Sequence, residues 1–191
     1  MKQTAEELIK RYRSGQVEAL GKLVEEYRKP LFGFILSMTN GHDDAEEIFQ
    51  DVWFRAIRAL DTYKSKRFLS WLFKIAHNRI IDRRRRQRPE QSLQETHDHE
   101  ENGRTTEDTL GSDREAPSRV SGNRELALRI QQAVAALPLD QREVFAMRTQ
   151  SDLPFKEIAR IQGTSINTAL ARMQYALAKL RETLREDYEN L

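Results

Sequence analysis

Leu153-Pro154-Phe155-Lys156-Glu157-Ile158-Ala159-Arg160-Ile161-Gln162-Gly163-Thr164-Ser165-Ile166 is the stretch on which the reading of this chain turns. A short helix can begin after Pro154 and should stop at Gly163, because glycine takes the left-handed conformation that closes helices. Thr164-Ser165 then offers a side-chain oxygen to the orphan N–H groups of a further helix. The apolar stripe of that last helix reads as Ile166, Ala169, Met173, Leu177, Leu180 and Leu184. Short helix, glycine turn, capped longer helix is the helix-turn-helix pattern. Small bundles also join helices through glycine, so the pattern alone fixes no ligand. Away from the stripe lie Thr168, Tyr175 and Lys179, flanked by Arg172, and this favours DNA; Ala171 and Glu182 add nothing to it.

Upstream of this unit, Leu126, Ile130, Val134 and Leu137 define a helix that Pro138 ends, and Val144, Phe145 and Met147 define the next. Residues 123–191 therefore read as one small helical domain. Residues 89–122 mix Gln, Glu, Ser, Thr, Gly and Pro around three large apolar residues, Leu93, Leu110 and Val120. Such a stretch cannot bury enough surface to offset its chain entropy and reads as a flexible linker. Before it, residues 1–88 carry four helical patterns: about Thr4 to Arg13, broken at Ser14-Gly15; Val17 to Met38, with Pro30 as a kink; His42 to Leu60; and a fourth from near Arg67. Glycine and proline are scarce, at 8 and 5 residues, and no alternating strand pattern competes. The expected fold is all-α, two small helical domains on one acidic tether. A hydrophobic fraction of 38% beside a charged fraction of 32% suits two such small cores.

The formal net charge of +2 hides a segregation. From Lys74 to Arg88 seven basic residues (Lys74, Arg79, Arg83, Arg84, Arg85, Arg86, Arg88) face Asp82 alone, whereas residues 89–122 hold nine carboxylates against three arginines. Asp82 can pair with Arg86, yet one aspartate cannot balance the cluster, and each remaining guanidinium suits a phosphate. At about 100° per residue, Arg67, Lys74, Asn78 and Arg85 share a stripe beside Trp71, a mixture that suits bases as well as phosphates. Asp43, Asp44, Glu46, Glu47 and Asp51 crowd the start of the third helix. Helix-dipole complementarity explains part of that excess, and a basic protein partner would explain the rest.

Other function classes find little support. No cysteine is present, which excludes disulfides and thiolate metal sites and fits a reducing compartment. Met1 to Arg11 lacks an apolar signal core, and no stretch approaches the roughly 20 apolar residues of a membrane helix. His97-Asp98-His99-Glu100 is the best metal-like cluster, but it falls in the tether, where nothing holds ligand geometry. With no phosphate-cradling glycine loop and no nucleophile elbow, the expectation is a cytoplasmic protein that binds rather than catalyses, without metal or cofactor.

Several strings together resemble one family, the extracytoplasmic-function sigma factors, small two-domain sigma subunits of bacterial RNA polymerase. Ser14-Gly15-Gln16-Val17-Glu18-Ala19-Leu20 looks like the family's opening helix break, and Asp44-Ala45-Glu46-Glu47-Ile48-Phe49-Gln50-Asp51-Val52-Trp53 is similar to its core-polymerase-binding helix. Phe68-Leu69-Ser70-Trp71-Leu72-Phe73-Lys74-Ile75-Ala76-His77-Asn78 resembles its promoter-melting helix. Leu137-Pro138-Leu139-Asp140-Gln141-Arg142-Glu143-Val144-Phe145 and Glu157-Ile158-Ala159 resemble its upstream-element module. The resemblance implies a region 2-like domain over 1–88 and a region 4-like domain over 123–191, with core RNA polymerase and promoter DNA as partners and an anti-sigma factor as a further candidate.

It also implies site residues. Asp43, Asp44, Glu46, Glu47, Gln50 and Asp51 would dock on the polymerase. Tyr63, Lys64, Lys66, Arg67, Trp71, Lys74, Asn78, Arg83 and Arg85 would bind the downstream element, with the loop from Thr62 to Arg67 holding a flipped base. Lys156, Ser165, Asn167, Thr168, Arg172, Tyr175 and Lys179 would bind the upstream element. Leu170 departs from the family, which usually has a basic residue there, and Tyr175 stands where another is frequent.

Overall fold

The computed structural model describes residues 4–64, 67–87 and 119–185, the side chains of 87 and 119–124 excepted. Among the described residues eight α-helices follow one another: α1 (Ala5–Arg13), α2 (Glu18–Met38), α3 (His42–Ala59), α4 (Phe68–Gln87), α5 (Arg119–Ala135), α6 (Leu139–Ser151), α7 (Phe155–Gln162) and α8 (Ile166–Thr183), with a 3-10 turn at Leu60–Thr62. Local chemistry sets the boundaries. Thr4 and Glu7 form a reciprocal capping box on α1, and Gly15 at φ 92° lets the chain reverse into α2. The second helix runs from Glu18 to Met38 with Pro30 inside it. α5 begins at Arg119, inside the stretch read as linker; the remainder of that stretch, with the His97–Glu100 cluster, lies outside the described residues.

The turn between α7 and α8 forms as its sequence demands. Gly163 closes α7 at φ 69°, and the Thr168 N–H donates to Ser165 Oγ at 3.0 Å. An L side chain at Gly163 would meet no neighbouring atom but would still be held in the left-handed region. Gly163→Ala should therefore cost about 1–2 kcal/mol of stability. Thermal unfolding of the variant checks this, and an unchanged midpoint would show that the turn relaxes without strain.

α1 to α4 enclose a core of Leu8, Leu23, Leu31, Phe34, Ile35, Leu72 and Phe73, with the Phe34 and Phe73 rings 4.6 Å apart. Arg13 ties α1 to the end of α3 by donating to the carbonyls of Leu60 and Tyr63. This core does not end at the fourth helix. Val144 and Met147 of α6 and Ile158 and Ile161 of α7 belong to the same apolar cluster, with α2 packed on α6 and α4 on α7. The halves that the sequence separates thus share one interior. The C-terminal half of α2 explains it: Leu31, Phe32, Phe34, Ile35, Leu36 and Met38 are apolar on more than one face, and such a helix must be covered on more than one side. Gly33 makes room, since a Cβ there would lie 2.9 Å from Oε1 of Gln150 on α6. A smaller cluster of Ala133, Leu137, Ala176 and Leu180 joins α5 to α8.

The last helix departs from its sequence reading. Its buried side is Ala169, Ala176 and Leu180, with Met173 half-buried, whereas Ile166 and Leu177, expected on the core stripe, are 44% and 41% exposed. Small alanines bring α8 close to α6 and α7, and that close approach leaves the larger aliphatics at the margin outside.

Candidate nucleic-acid interface

The carboxylates of α3 divide into two groups. Asp44 and Glu47 accept from the Arg83 guanidinium at 2.5 and 2.7 Å, and Asp51 pairs with Arg79 and, at 3.0 Å, with Arg55. The hydrogen bond that Arg83 donates to Glu47 is the largest influence holding the Arg83 charge above its ordinary pKa, against the opposing effect of burial. These pairs fasten α3 to α4, so part of the arginine cluster is balanced from another helix, which sequence spacing along α4 could not reveal. Asp43, Glu46 and Gln50 instead face solvent, and Phe54 continues their row at 60% exposure with Arg58 over its ring. Phe54 escaped the sequence reading. Its signal was available, because it is a large apolar side chain off the stripe of Ile48, Val52 and Ala56.

At the start of α4, Tyr63, Phe68 and Trp71 stack in a tilted aromatic group, with Tyr63 and Trp71 ring centres 4.8 Å apart and Tyr63 buried beneath. Lys64 is exposed, and Lys66 lies outside the described residues. The expected stripe of Arg67, Lys74, Asn78 and Arg85 is split by what covers it. Arg67 pairs with Glu157 of α7 at 3.2 Å, and Lys74 Nζ donates to the Ile161 carbonyl at 2.7 Å. Next to them His77 Nδ1 meets Glu143 Oε1 of α6 at 2.5 Å. Asn78 and Arg85 remain exposed. Carboxylates and a carbonyl of the second half thus sit on cations and a polar edge of the first, covering residues that the sequence reading expects at the downstream element. One contact opposes the arrangement: burial first, and then Arg84 across the seam, push the Arg142 guanidinium below its ordinary pKa.

From His77 a polar chain continues inward. Gln162 Nε2 donates to the second oxygen of Glu143 at 2.7 Å, Gln162 Oε1 accepts from Arg172 of α8 at 2.8 Å, and Arg172 also donates to Asp140 at 2.5 Å. Arg172 is therefore engaged within the protein. Among the other residues expected at the upstream element, Ser165 caps α8 and its hydroxyl meets that of Thr168 at 2.8 Å, while Lys156, Asn167, Tyr175 and Lys179 are exposed. Among the described residues no three His, Asp or Glu side chains converge as a metal-ligand set, and no helix is long and apolar enough to cross a membrane.

Comparison with known proteins matches residues 23–90 to Sigma-70 region 2 and residues 127–180 to Sigma-70 region 4. The ECF RNA polymerase sigma factor SigW of Bacillus subtilis is 28% identical over 93% of this chain and 95% of its own length. The RNA polymerase sigma factor NccH of Alcaligenes xylosoxydans xylosoxydans is 32% identical, over 94% of both chains. This chain is an extracytoplasmic-function sigma factor. It is a promoter-recognising initiation factor of RNA polymerase, as the joint presence of the acidic helix, the melting-helix string and the helix-turn-helix implied. The fold agrees as well. RpoE in complex with the anti-sigma factor NepR from Bartonella quintana aligns with TM-score 0.64 at 21% identity, over 86% of this sigma factor and 96% of RpoE. CnrH in complex with the cytosolic domain of CnrY aligns at 0.64 and 24% identity, over 94% of this chain and 96% of CnrH.

Proposed function

We propose that this sigma factor divides its work between two surfaces of residues 1–88 and one of residues 123–191. The exposed row Asp43, Glu46, Gln50 and Phe54 on α3 docks on a basic surface of core polymerase, and the observation that carries this is the row itself. Its acidic members are left facing solvent while Asp44 and Asp51 are tied to α4. Acidic rim groups around an exposed aromatic make an interface of steering charges and one anchor. The start of α4, with the Tyr63–Trp71 group and the cations Lys64, Arg67 and Lys74, receives the unstacked downstream element. α8 with Lys156 receives the upstream element. The protein acts by binding, in the cytoplasm with the polymerase, and catalysis of the reaction belongs to the core enzyme. Run-off transcription from a promoter template with purified core polymerase tests the whole reading: added sigma factor should give defined transcripts, and none above core alone would refute it.

The downstream surface cannot take DNA while Glu157 and the Ile161 carbonyl hold Arg67 and Lys74. Engagement therefore requires α6 and α7 to leave α4. An anti-sigma factor is a further proposed partner: the solved relatives RpoE and CnrH are bound to NepR and CnrY, and a protein that clamps both halves would keep this seam shut.

Lys74→Ala with Asn78→Ala should slow open-complex formation by about tenfold while leaving initial duplex binding within about twofold, because base and phosphate contacts of a melted strand form only after unstacking. Stopped-flow kinetics on duplex and pre-melted templates make the comparison. Equal loss on both templates would make the two residues plain phosphate contacts.

A further inference from the structure

The exposed chemistry of the first turns of α8 is selective. Ile166, Asn167, Leu170 and Gln174 are all exposed, and at about 100° per residue they fall within one sector roughly 100° wide. Two are aliphatic, at 44% and 38% exposure for Ile166 and Leu170, and two are amides. No cation joins them in these first turns; Arg181, exposed in the same sector, lies two turns beyond Gln174. The arginine nearest in sequence, Arg172, has its guanidinium on Asp140 and Gln162, and Lys179 lies two turns further along with Tyr175, on the other flank.

In a helix-turn-helix the N-terminal residues of the second helix face base edges in the major groove. There, guanine is read by arginine or lysine at O6 and N7, adenine by asparagine or glutamine at N6 and N7, and thymine by apolar contact with its 5-methyl group. Resting on the proposed role of α8, we infer that this sigma factor reads its upstream element as A·T pairs, with Asn167 and Gln174 on adenines and Ile166 and Leu170 on thymine methyls. Lys156, Tyr175 and Lys179, outside that sector, serve the phosphates. They set affinity and register without choosing a sequence. The Leu170 departure from the family's usual basic residue then bears on specificity, because an aliphatic side chain can meet a thymine methyl where a cation would meet guanine or a phosphate.

The test uses holoenzyme reconstituted from core polymerase and the full chain, and a promoter library with a fixed downstream element and a randomised upstream one. Selection should return A·T pairs at two or more adjacent positions. Replacing the thymines there by deoxyuridine, which removes only the methyl, should weaken binding by roughly fourfold per methyl buried. Leu170→Ala should abolish the penalty at one thymine, and Leu170→Arg should shift selection at that position to guanine. Selected G·C pairs, or no response to deoxyuridine, would overturn the inference while leaving the sigma-factor role intact. So would a Leu170→Ala protein with unchanged DNA selectivity but impaired holoenzyme assembly, which would mark the Ile166–Leu170–Leu177 ridge as a protein contact. A holoenzyme that initiates at no promoter would instead remove the role on which the inference stands.

Discussion

Core polymerase should fail to assemble with a chain carrying Asp43→Lys and Glu46→Lys, its affinity falling by about a hundredfold or more while helicity stays at the wild-type value and the melting temperature drops by only a few degrees. Neither residue pairs with α4, so the fold loses only their favourable placement at the start of α3 and the His42–Glu46 pair, about 1 kcal/mol each at most, whereas two reversed charges against a basic surface meet like-charge repulsion of several kcal/mol. Asp44 and Glu47 are poorer choices, because reversing them also strips Arg83 of both partners. Phe54→Ala should cost about tenfold or more through loss of an aromatic anchor, with little salt dependence. Native gel shift or calorimetry against purified core gives both numbers. Wild-type affinity in the doubly reversed protein would move the docking surface away from this row.

A second large effect concerns the seam. Introduced as Arg67→Cys with Glu157→Cys, thiols would face each other across the gap that the present side chains bridge with their 3.2 Å contact, and the chain has no cysteine of its own to compete for a reagent. Joined by a reductant-cleavable bis-maleimide, the two halves cannot part, and run-off transcription should fall by about tenfold or more relative to the same protein after cleavage, since a locked conformer removes the binding-competent state. Comparing one protein before and after reduction cancels the cost of losing Arg67 itself. Equal activity in both samples would mean that promoter DNA reaches α4 without the seam opening.

Much of this was legible in the residues, and the exceptions share a cause. Helix order, the breaks at Ser14-Gly15 and Gly163, and the Ser165 cap follow from local chemistry, which acts over a few residues and is written in consecutive letters. What the sequence hid depends on which helix faces which. Periodicity along α4 shows a run of arginines but not that Asp44, Glu47 and Asp51 of α3 meet two of them. Periodicity along α8 assigns Ile166 and Leu177 to the core, because it cannot register that Ala169 and Ala176 already fill the space there. The same blindness hid the shared interior: a surplus of apolar faces on α2 is visible, but the identity of the helices covering them is not. Composition sets residues 89–122 apart as an expected tether, but it does not show that α5 begins at Arg119 inside that stretch, nor does it forbid the segments on either side from packing together.

The polar chain from His77 through Glu143 and Gln162 to Arg172, and back to Asp140 of α6, involves four helices and reaches the helix proposed to read the upstream element. Two binding sites joined in this way are linked thermodynamically, and linkage runs both ways. When the melted strand draws α4 away, Glu143 loses its histidine, and Gln162 and Arg172 settle into a different balance of partners. Whatever factor this adds to or subtracts from affinity at α8 must appear, unchanged, in the ease with which α4 is released once α8 is occupied. If release of α4 strengthens binding at α8, a promoter with a strong upstream element lowers the barrier to opening a weak downstream one, and if it weakens that binding the barrier rises; with either sign the coupling between two distant boxes of DNA would reside in a row of side chains rather than in the DNA or the polymerase.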